Sequence, residues 1–331
     1  MDLRRHVRFI AVAASGLLTL QCASARDARP TDDPVASGPS TAIAEPEGRF
    51  ATVNGHRLWY RVSGQGPPVV LIPGGPGLSH TLFYPAFERL TDVARVVYFD
   101  PFGRGQSDRA STPSQYSFRG DVEDLEGLRQ ALGFDRVSVY GISYGGIVAQ
   151  AYALRYPSSL SKLILADTLY SAEAWQNGFD HVNTQIRDQF PDVWAELQAL
   201  RAKGAVTCDP DYLKALGPVP FGLSYLYDPT AALPRFEQNL EVMCQILGSD
   251  ATNVVGRDLE SFDVEQQVRD IAAPALVLAG RFDRVAMPRY TLRYRTLMPQ
   301  AEVVLFEQSG HFVFVEEPEH HDDVVRAFLK K

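Results

Sequence analysis

The sequence predicts an α/β protein with a doubly wound, mostly parallel sheet. Short and continuously apolar segments of strand type alternate with segments of helical periodicity through most of the 331 residues. Such strands need burial on both faces, which a parallel sheet covered by helices provides. The alternation is interrupted once, between about residues 169 and 257, where only helix-like sequence appears. The chain is therefore expected to fold as a sheet protein with one large helical insertion.

The first two strands are predicted at 50–54 and 56–62 as an antiparallel hairpin, because Asn54-Gly55 supplies the positive φ angles of a two-residue turn. Six further strands are predicted at 69–72, 95–99, 136–140, 162–167, 275–279 and 302–306. Helices are predicted at 118–132, 144–156, 288–298 and 318–329. The expected sheet therefore has eight strands flanked by helices.

The insertion divides the predicted sheet domain into two parts, 49–168 and 258–331. It spans 169–257 and is too long for a loop in a compact domain, so it is interpreted as an inserted helical cap. Ahead of the sheet, 26–48 is polar and rich in proline, which predicts a disordered leader.

Residues 1–25 have the pattern of a secretory signal peptide. A basic start precedes an apolar run at 9–20 and a small-x-small cleavage site ending at Ala25. The run is too short to be a permanent membrane span. The alternative is a lipoprotein with a lipid anchor on Cys22, although Gln21 does not suit the lipoprotein pattern. A third possibility is that the segment is neither a cleaved signal peptide nor a lipoprotein signal. The first two predict an extracytoplasmic protein, either secreted or periplasmic.

The net charge bears on the partners of the protein, and its cysteines bear on disulfide and metal bonding. The formal net charge of −8 argues against a nucleic-acid partner. In an oxidising compartment Cys208 and Cys244 are disulfide candidates, and two buried free thiols are the alternative. The sequence has no CxxC pair and no His/Cys cluster, so no metal is expected.

The strongest chemical motif is 139-VYGISYGGI-147, which follows a predicted buried strand and opens a predicted helix. In that context Gly-x-Ser-x-Gly is a nucleophile elbow, with Ser143 in a strained turn. Gly141 and Gly145 remove the Cβ atoms that would collide across that turn. Ser143 is the candidate nucleophile, and a helix-start serine beside packing glycines is the structural alternative.

A serine nucleophile needs a base and an orienting carboxylate. Asp283 and His311 lie in loops that follow two late predicted strands, and we predict them as the acid and the base. Asp167 also ends a predicted strand and is the alternative acid. The histidines that compete with His311 do not follow a late strand through a Ser-Gly turn; they are His56, His80, His181, His320 and His321.

The loop 73-PGGPG-77 follows the third predicted strand and has a candidate role beside Ser143. Acyl transfer needs backbone N–H groups aimed at a developing oxyanion, and we predict that Gly75 and Tyr144 supply them. A simple Gly/Pro turn is the alternative. The loop 100-DPFGRGQSD-108 is similar in composition, and we assign it a structural role.

These motifs together resemble the α/β-hydrolase superfamily and, within it, the proline iminopeptidase-related branch of serine peptidases and esterases. The order Ser143, Asp283, His311 is similar to the catalytic order of that superfamily. The resemblance implies an α/β-hydrolase fold and removal of an N-terminal residue, often proline, from small peptides without a cofactor. This chain differs from the branch pattern at Pro73, where histidine is usual, and at Tyr144, where tryptophan is usual.

A peptidase of this kind must also neutralise a free α-amino group. Glu237 and Glu241 run beside an apolar helical stripe in the predicted cap and are candidates for that contact, with a plain charged helix face as the alternative. The sequence thus predicts a serine hydrolase acting on a short-peptide or other small-molecule substrate. An aminopeptidase is favoured, with a carboxylesterase or lactonase and a non-catalytic ligand-binding protein as alternatives.

Overall fold

Eight strands form one sheet in the computed structural model, which describes residues 47–205, 209–232 and 249–331. They are β1 (Arg49–Val53), β2 (His56–Ser63), β3 (Pro68–Ile72), β4 (Arg95–Phe99), β5 (Val137–Ile142), β6 (Leu160–Ala166), β7 (Ala275–Gly280) and β8 (Ala301–Phe306). The strand order is β1-β2-β4-β3-β5-β6-β7-β8. β2 pairs antiparallel with β1 and β4, and the remaining neighbours are parallel. The predicted fold class is confirmed.

The helices lie between and around these strands. In chain order they are α1 (Phe118–Ala131), α2 (Tyr144–Arg155), α3 (Ala172–Gln189), α4 (Pro191–Ala202), α5 (Pro210–Leu216), α6 (Phe221–Tyr225), α7 (Ser249–Asp258), α8 (Pro288–Thr291), α9 (Tyr294–Leu297), α10 (Val313–Glu316) and α11 (Pro318–Lys330). Helices α3 to α7 all fall between the paired strands β6 and β7, so the chain leaves the sheet and returns to it through helical sequence.

Local sequence accounts for the start of the sheet. Asn54 and Gly55 have φ angles of 50° and 91°, and Val53 pairs with His56 across them. This is the two-residue hairpin that the Asn-Gly dipeptide predicts. Further along, every residue of β5 and of β7 is buried, as expected for central parallel strands. The two strands leading to Ser143 and Asp283 are therefore firmly held in the core.

The prediction of one helix over 288–298 is wrong, because α8 ends at Thr291 and α9 begins at Tyr294. The Thr291 hydroxyl donates to the carbonyl of Met287, four residues earlier, at 3.3 Å. Such back-bonding by threonine competes with the helical pattern and often bends a helix. Tyr294 is then anchored in the core by its hydroxyl, which donates to Gln150 at 2.7 Å.

Several predicted features lie outside the described residues. These are the signal peptide with Cys22, most of the predicted leader, the disulfide candidates Cys208 and Cys244, and the cap carboxylates Glu237 and Glu241. Within the ranges that the structure describes, no helix is long and apolar enough to cross a membrane.

Candidate active site

Ser143 occupies the sharp turn between β5 and α2. Its φ and ψ angles are 53° and −122°, a combination that residues with a side chain rarely adopt. The turn is held from β6 and the segment that follows it: the Ser143 N–H donates to the Ala166 carbonyl at 3.0 Å, and the Thr168 hydroxyl donates to the Ser143 carbonyl at 2.6 Å. The strained serine is thus fixed at the carboxyl end of a central strand.

The glycines on both sides of Ser143 make this turn possible. A Cβ atom on Gly141 would lie 2.3 Å from the Gly145 carbonyl oxygen. One on Gly145 would lie 2.1 Å from the carbonyl oxygen of Ile72, the last residue of β3. Both distances are shorter than any real carbon contact, so these positions exclude every other residue. The Gly-x-Ser-x-Gly spacing is therefore a consequence of how tightly α2 begins against the sheet.

Asp283 and His311 form a buried hydrogen-bonded pair. The two residues follow β7 and β8, and the distance from His311 Nδ1 to Asp283 Oδ2 is 2.8 Å. The other carboxylate oxygen, Oδ1, accepts the N–H groups of Val285 and Ala286, each at 2.8 Å. Because its acceptors are used by backbone and by Nδ1, Asp283 orients the ring. His311 Nε2 is the ring nitrogen that Asp283 does not contact.

The loops that carry Asp283 and His311 are interlocked. A Cβ atom on Gly280 would lie 1.8 Å from the Gly310 carbonyl oxygen, so the two loops approach at a position that only glycine allows. The Phe282 N–H donates to the Ser309 carbonyl at 2.9 Å. From the helical insertion, the Tyr225 carbonyl accepts the His311 N–H at 2.6 Å. The backbone at His311 is therefore held by the loop after β7 on one side and by the helical insertion on the other.

Asp167, the alternative acid, lies beside this pair but makes a different contact. Its carboxylate oxygen Oδ1 accepts the backbone N–H of Gly280 at 2.9 Å. Complete burial, together with the nearby charge of Asp283, raises the pKa of Asp167 well above its ordinary value. Asp167 thus supports the loop that leads to Asp283, whereas Asp283 is the carboxylate bonded to His311.

The remaining histidines have partners elsewhere. His56 lies 2.7 Å from the carboxylate of Asp124, His80 lies 2.8 Å from that of Asp100, and His321 lies 3.0 Å from that of Asp322. His320 lies 3.8 Å from Glu317, and His181 lies 3.4 Å from Gln185. Among the described residues no group of three or more His, Cys, Asp or Glu side chains could hold a metal ion.

The glycine loop after β3 lies against Ser143. A Cβ atom on Gly74 would lie 3.3 Å from the Ser143 Cβ and 3.9 Å from its Oγ. Gly75 has a φ angle of 120°, and a Cβ there would lie 2.2 Å from the Gly77 nitrogen. The structure therefore places this loop beside Ser143, and Gly75 and Tyr144 remain the predicted oxyanion donors.

Two residues beside this loop were not identified from the sequence. Arg104, in the loop after β4, is completely buried and donates from Nε to the Pro76 carbonyl at 2.8 Å. Its guanidinium also binds Asp121, near the start of α1, through two hydrogen bonds of 2.8 Å. An arginine between two glycines usually indicates a solvated turn. No sequence signal distinguishes that case from this buried one.

Comparison with known proteins agrees with the fold and the motifs. A family model described as alpha/beta hydrolase fold matches residues 67–318. A proline iminopeptidase from Heyndrickxia coagulans is 30% identical over 290 residues, which is 85% of this chain and 97% of the relative. One from Saccharolobus solfataricus is 27% identical over 307 residues, covering 88% of this chain and 94% of the relative.

Solved structures show the same likeness. A proline iminopeptidase from Mycobacterium smegmatis superposes with a TM-score of 0.67 at 25% identity, covering 86% of this chain and 98% of that one. A thermophilic esterase from Thermogutta terrifontis has a TM-score of 0.63 at 23% identity, with coverage of 86% and 98%. The family match and the similarity to these relatives show that this chain belongs to the alpha/beta hydrolase fold family and is a hydrolase.

Proposed function

We propose that the chain hydrolyses its substrate through an acyl-enzyme, with Ser143, His311 and Asp283 as the catalytic triad. His311 Nε2 takes the Ser143 proton as Oγ attacks the substrate carbonyl, and then gives that proton to the leaving group. The N–H groups of Gly75 and Tyr144 stabilise the oxyanion. Water attacks the acyl-enzyme by the same route, with His311 again accepting and returning a proton.

The observation that carries this proposal is the 2.8 Å bond between His311 Nδ1 and Asp283 Oδ2 at the sheet edge where Ser143 sits in a strained turn. All three residues follow parallel strands, so their loops meet at one edge of the sheet. Asp283 stabilises the imidazolium that forms when His311 accepts the proton.

For the substrate, we propose short peptides from which an N-terminal residue is released. The support comes from relatives named proline iminopeptidases, whose similarity covers 85% and 88% of this chain. The cap carboxylates Glu237 and Glu241, outside the described residues, are proposed to bind the free α-amino group. Such a contact would make peptide cleavage dependent on a positive charge at the substrate N-terminus.

A carboxylesterase or lactonase is the second candidate, and two residues favour it. Pro73 stands where the peptidase-related branch usually has histidine, and proline offers neither an imidazole nor a backbone N–H. Tyr144 stands where tryptophan is usual, which is a second departure from the pattern of that branch. The triad itself serves both reactions equally well.

The triad is tested by labelling with a fluorophosphonate probe. The wild-type protein should be labelled at Ser143, and Ser143→Ala should lose the label and all turnover. Ser224, a buried serine in α6, provides the matched control, because Ser224→Ala should keep both. Labelling of the Ser143→Ala protein at another serine would disprove the assignment.

The substrate class is tested by comparing proline and alanine arylamides with short-chain nitrophenyl esters. A peptidase should cleave the arylamides, and Glu237→Gln or Glu241→Gln should raise KM for them but not for the esters. Glu196→Gln, an exposed carboxylate on α4, is the control. Rapid ester hydrolysis without arylamide cleavage would select the esterase candidate instead.

We also propose that the protein is exported. The support is the pattern of basic, apolar and small residues in 1–25. The mass of the N-terminal peptide of the purified protein distinguishes cleavage after Ala25 from lipidation at Cys22. A protein that keeps Met1 would contradict both.

A further inference from the structure

Arg104 is a buried cation that the triad does not use. Its side chain has no solvent exposure, although it lies in a loop between Gly103 and Gly105. The Nε group donates to the Pro76 carbonyl at 2.8 Å, and Nη1 and Nη2 each donate to one carboxylate oxygen of Asp121 at 2.8 Å. A planar guanidinium matched in this way fixes both partners in position as well as in charge.

Asp121 connects this arginine to the residue that follows the nucleophile. The Tyr144 hydroxyl donates to Asp121 Oδ2, and the Tyr144 side chain is 1% exposed. Burial, together with the negative charge of Asp121, raises the pKa of Tyr144 well above 10, so the hydroxyl keeps its proton and remains a donor. A continuous chain of contacts therefore runs from the Pro76 carbonyl through Arg104 and Asp121 to Tyr144.

The two ends of this chain adjoin the two oxyanion donors. Pro76 follows Gly75 directly, in a turn so tight that a Cβ on Gly75 would meet the Gly77 nitrogen at 2.2 Å. Tyr144 supplies the second N–H from its own backbone. The donors lie on different segments, after β3 and after β5, which pair as neighbouring parallel strands. Both donors lie beyond the last paired residues, Ile72 and Gly141. A rigid connection between the segments would set the distance between the two N–H groups.

We propose that Arg104, Asp121 and the Tyr144 hydroxyl form a positioning unit that holds the two halves of the oxyanion hole in register. The inference rests on the proposed function, because it assumes that Gly75 and Tyr144 stabilise an oxyanion. The unit does not touch the reacting atoms. It acts by keeping two donors at the separation that the tetrahedral intermediate needs, and small misplacements of such donors are costly to the rate.

The test is Tyr144→Phe, which removes the hydroxyl and leaves the ring and backbone in place. We expect kcat for a nitrophenyl ester to fall about tenfold, with KM within twofold of wild type. Affinity for a simple alkylboronic acid, which forms a tetrahedral adduct with the nucleophile, should fall by a similar factor. Arg104→Lys, which lacks the two-pronged contact, should have the same effect, and the double variant should add little to either loss.

The matched control is Tyr152→Phe. Tyr152 lies on the same helix, is also fully buried, and its hydroxyl also donates to a carboxylate, Glu126, at 2.8 Å. This variant should lower stability without changing kcat or boronate affinity. Wild-type kcat and boronate affinity in Tyr144→Phe would overturn the inference, as would equal losses of both in Tyr152→Phe.

The labelling test of Ser143 and the measurements on Tyr144→Phe together separate this inference from the proposed function. If the wild-type protein shows no labelling at Ser143, the proposed triad fails and the positioning unit fails with it. If labelling and turnover depend on Ser143 while Tyr144→Phe behaves as wild type, only the positioning unit is wrong.

Discussion

Two buried histidine–aspartate pairs share the same geometry in this protein, and they have different surroundings. The Nδ1 atoms of His311 and His80 lie 2.8 Å from Asp283 and Asp100, respectively. His80 has no exposed surface and its ring is stacked on Trp59, with the centroids 4.0 Å apart. His311 keeps a small exposed fraction, 3%, at the end of the sheet. The bond alone therefore does not define a catalytic pair.

The surroundings of the two aspartates explain the difference. Asp100 Oδ1 accepts the backbone N–H of His80 and lies 2.8 Å from Nδ1 of the same residue. Asp100 Oδ2 accepts the Gln106 N–H. That pair joins the loops after β3 and β4 and acts as a structural lock. Asp283 instead directs its contacts to its own loop and to one nitrogen of His311. A base needs one ring nitrogen held and the other accessible to substrate.

The largest effect is expected from Asp283→Asn. An asparagine keeps the shape but holds the imidazole in the wrong tautomer and does not stabilise the imidazolium, so kcat should fall about 10⁴-fold. Stability, measured by chemical denaturation, should change little by comparison. A kcat within tenfold of wild type would remove Asp283 from the triad.

The converse variant, Asp100→Asn, should affect folding first. It removes a carboxylate that accepts three hydrogen bonds in a dry environment, and we expect the free energy of unfolding to fall by about 3 kcal/mol. The kcat of the folded fraction should fall by less than tenfold. If the stability is unchanged and kcat falls as far as in Asp283→Asn, the two pairs do not differ as described.

Glu126 extends the comparison to a carboxylate with a purely structural environment. Hydrogen bonds from Arg129, with others from Tyr152 and Gln130, lower its pKa from 4.5 to about 2 in the folded protein despite its burial. A depressed folded pKa stabilises the protein fully above pH 4.5, and this contribution is lost as pH falls toward 2. Glu126→Gln should lower the free energy of unfolding at pH 7 by about 1–2 kcal/mol, because water screens part of the interaction.

This prediction is checked by urea denaturation of the wild type and the variant between pH 7 and pH 3. The difference between them should shrink on acidification, while kcat at pH 7 stays constant. Glu307→Gln, which removes an exposed carboxylate paired with Arg281, should not change stability measurably at either pH. A difference that grows toward pH 3 would contradict the assigned direction of the Glu126 pKa.

The smallest effect is expected from Asp167→Asn. Burial and the charge of Asp283 raise the pKa of the Asp167 carboxyl, and an uncharged amide of the same shape can still accept the Gly280 N–H. We expect kcat to remain within about threefold of wild type, in contrast to the 10⁴-fold loss for Asp283→Asn. If kcat falls by 10³-fold or more, Asp167 contributes a charge to the site and the alternative acid must be reconsidered.

Much of the fold was predictable because its signals are local. The observed strands lie within two residues of their predicted bounds, since buried parallel strands are continuously apolar and Asn-Gly specifies the hairpin. The helix predicted over 288–298 was wrong because a side-chain bond from Thr291 to the backbone outweighed its helical periodicity. Periodicity reports which face is apolar, and it contains no information about such a bond.

The candidate site divides in the same way. Ser143 was identifiable because its strained turn forces glycine at fixed spacings, and Asp283 and His311 because strand ends are recognisable. No local pattern in the sequence identified the contacts among Arg104, Asp121 and the Tyr144 hydroxyl. Asp121 lies 17 residues after Arg104 and 23 residues before Tyr144 along the chain. The composition of each segment suits an exposed loop or an ordinary helix.

The sequence by itself therefore determined the class of fold, the order of its elements and the residues whose local backbone or strand position carries a recognisable pattern. Only the tertiary structure decided that the His80 ring is fully buried and stacked on Trp59, whereas His311 keeps a small exposed fraction. It also decided that Arg104 is buried against the glycine loop after β3. Both depend on burial and on contacts between distant segments, which no local pattern encodes.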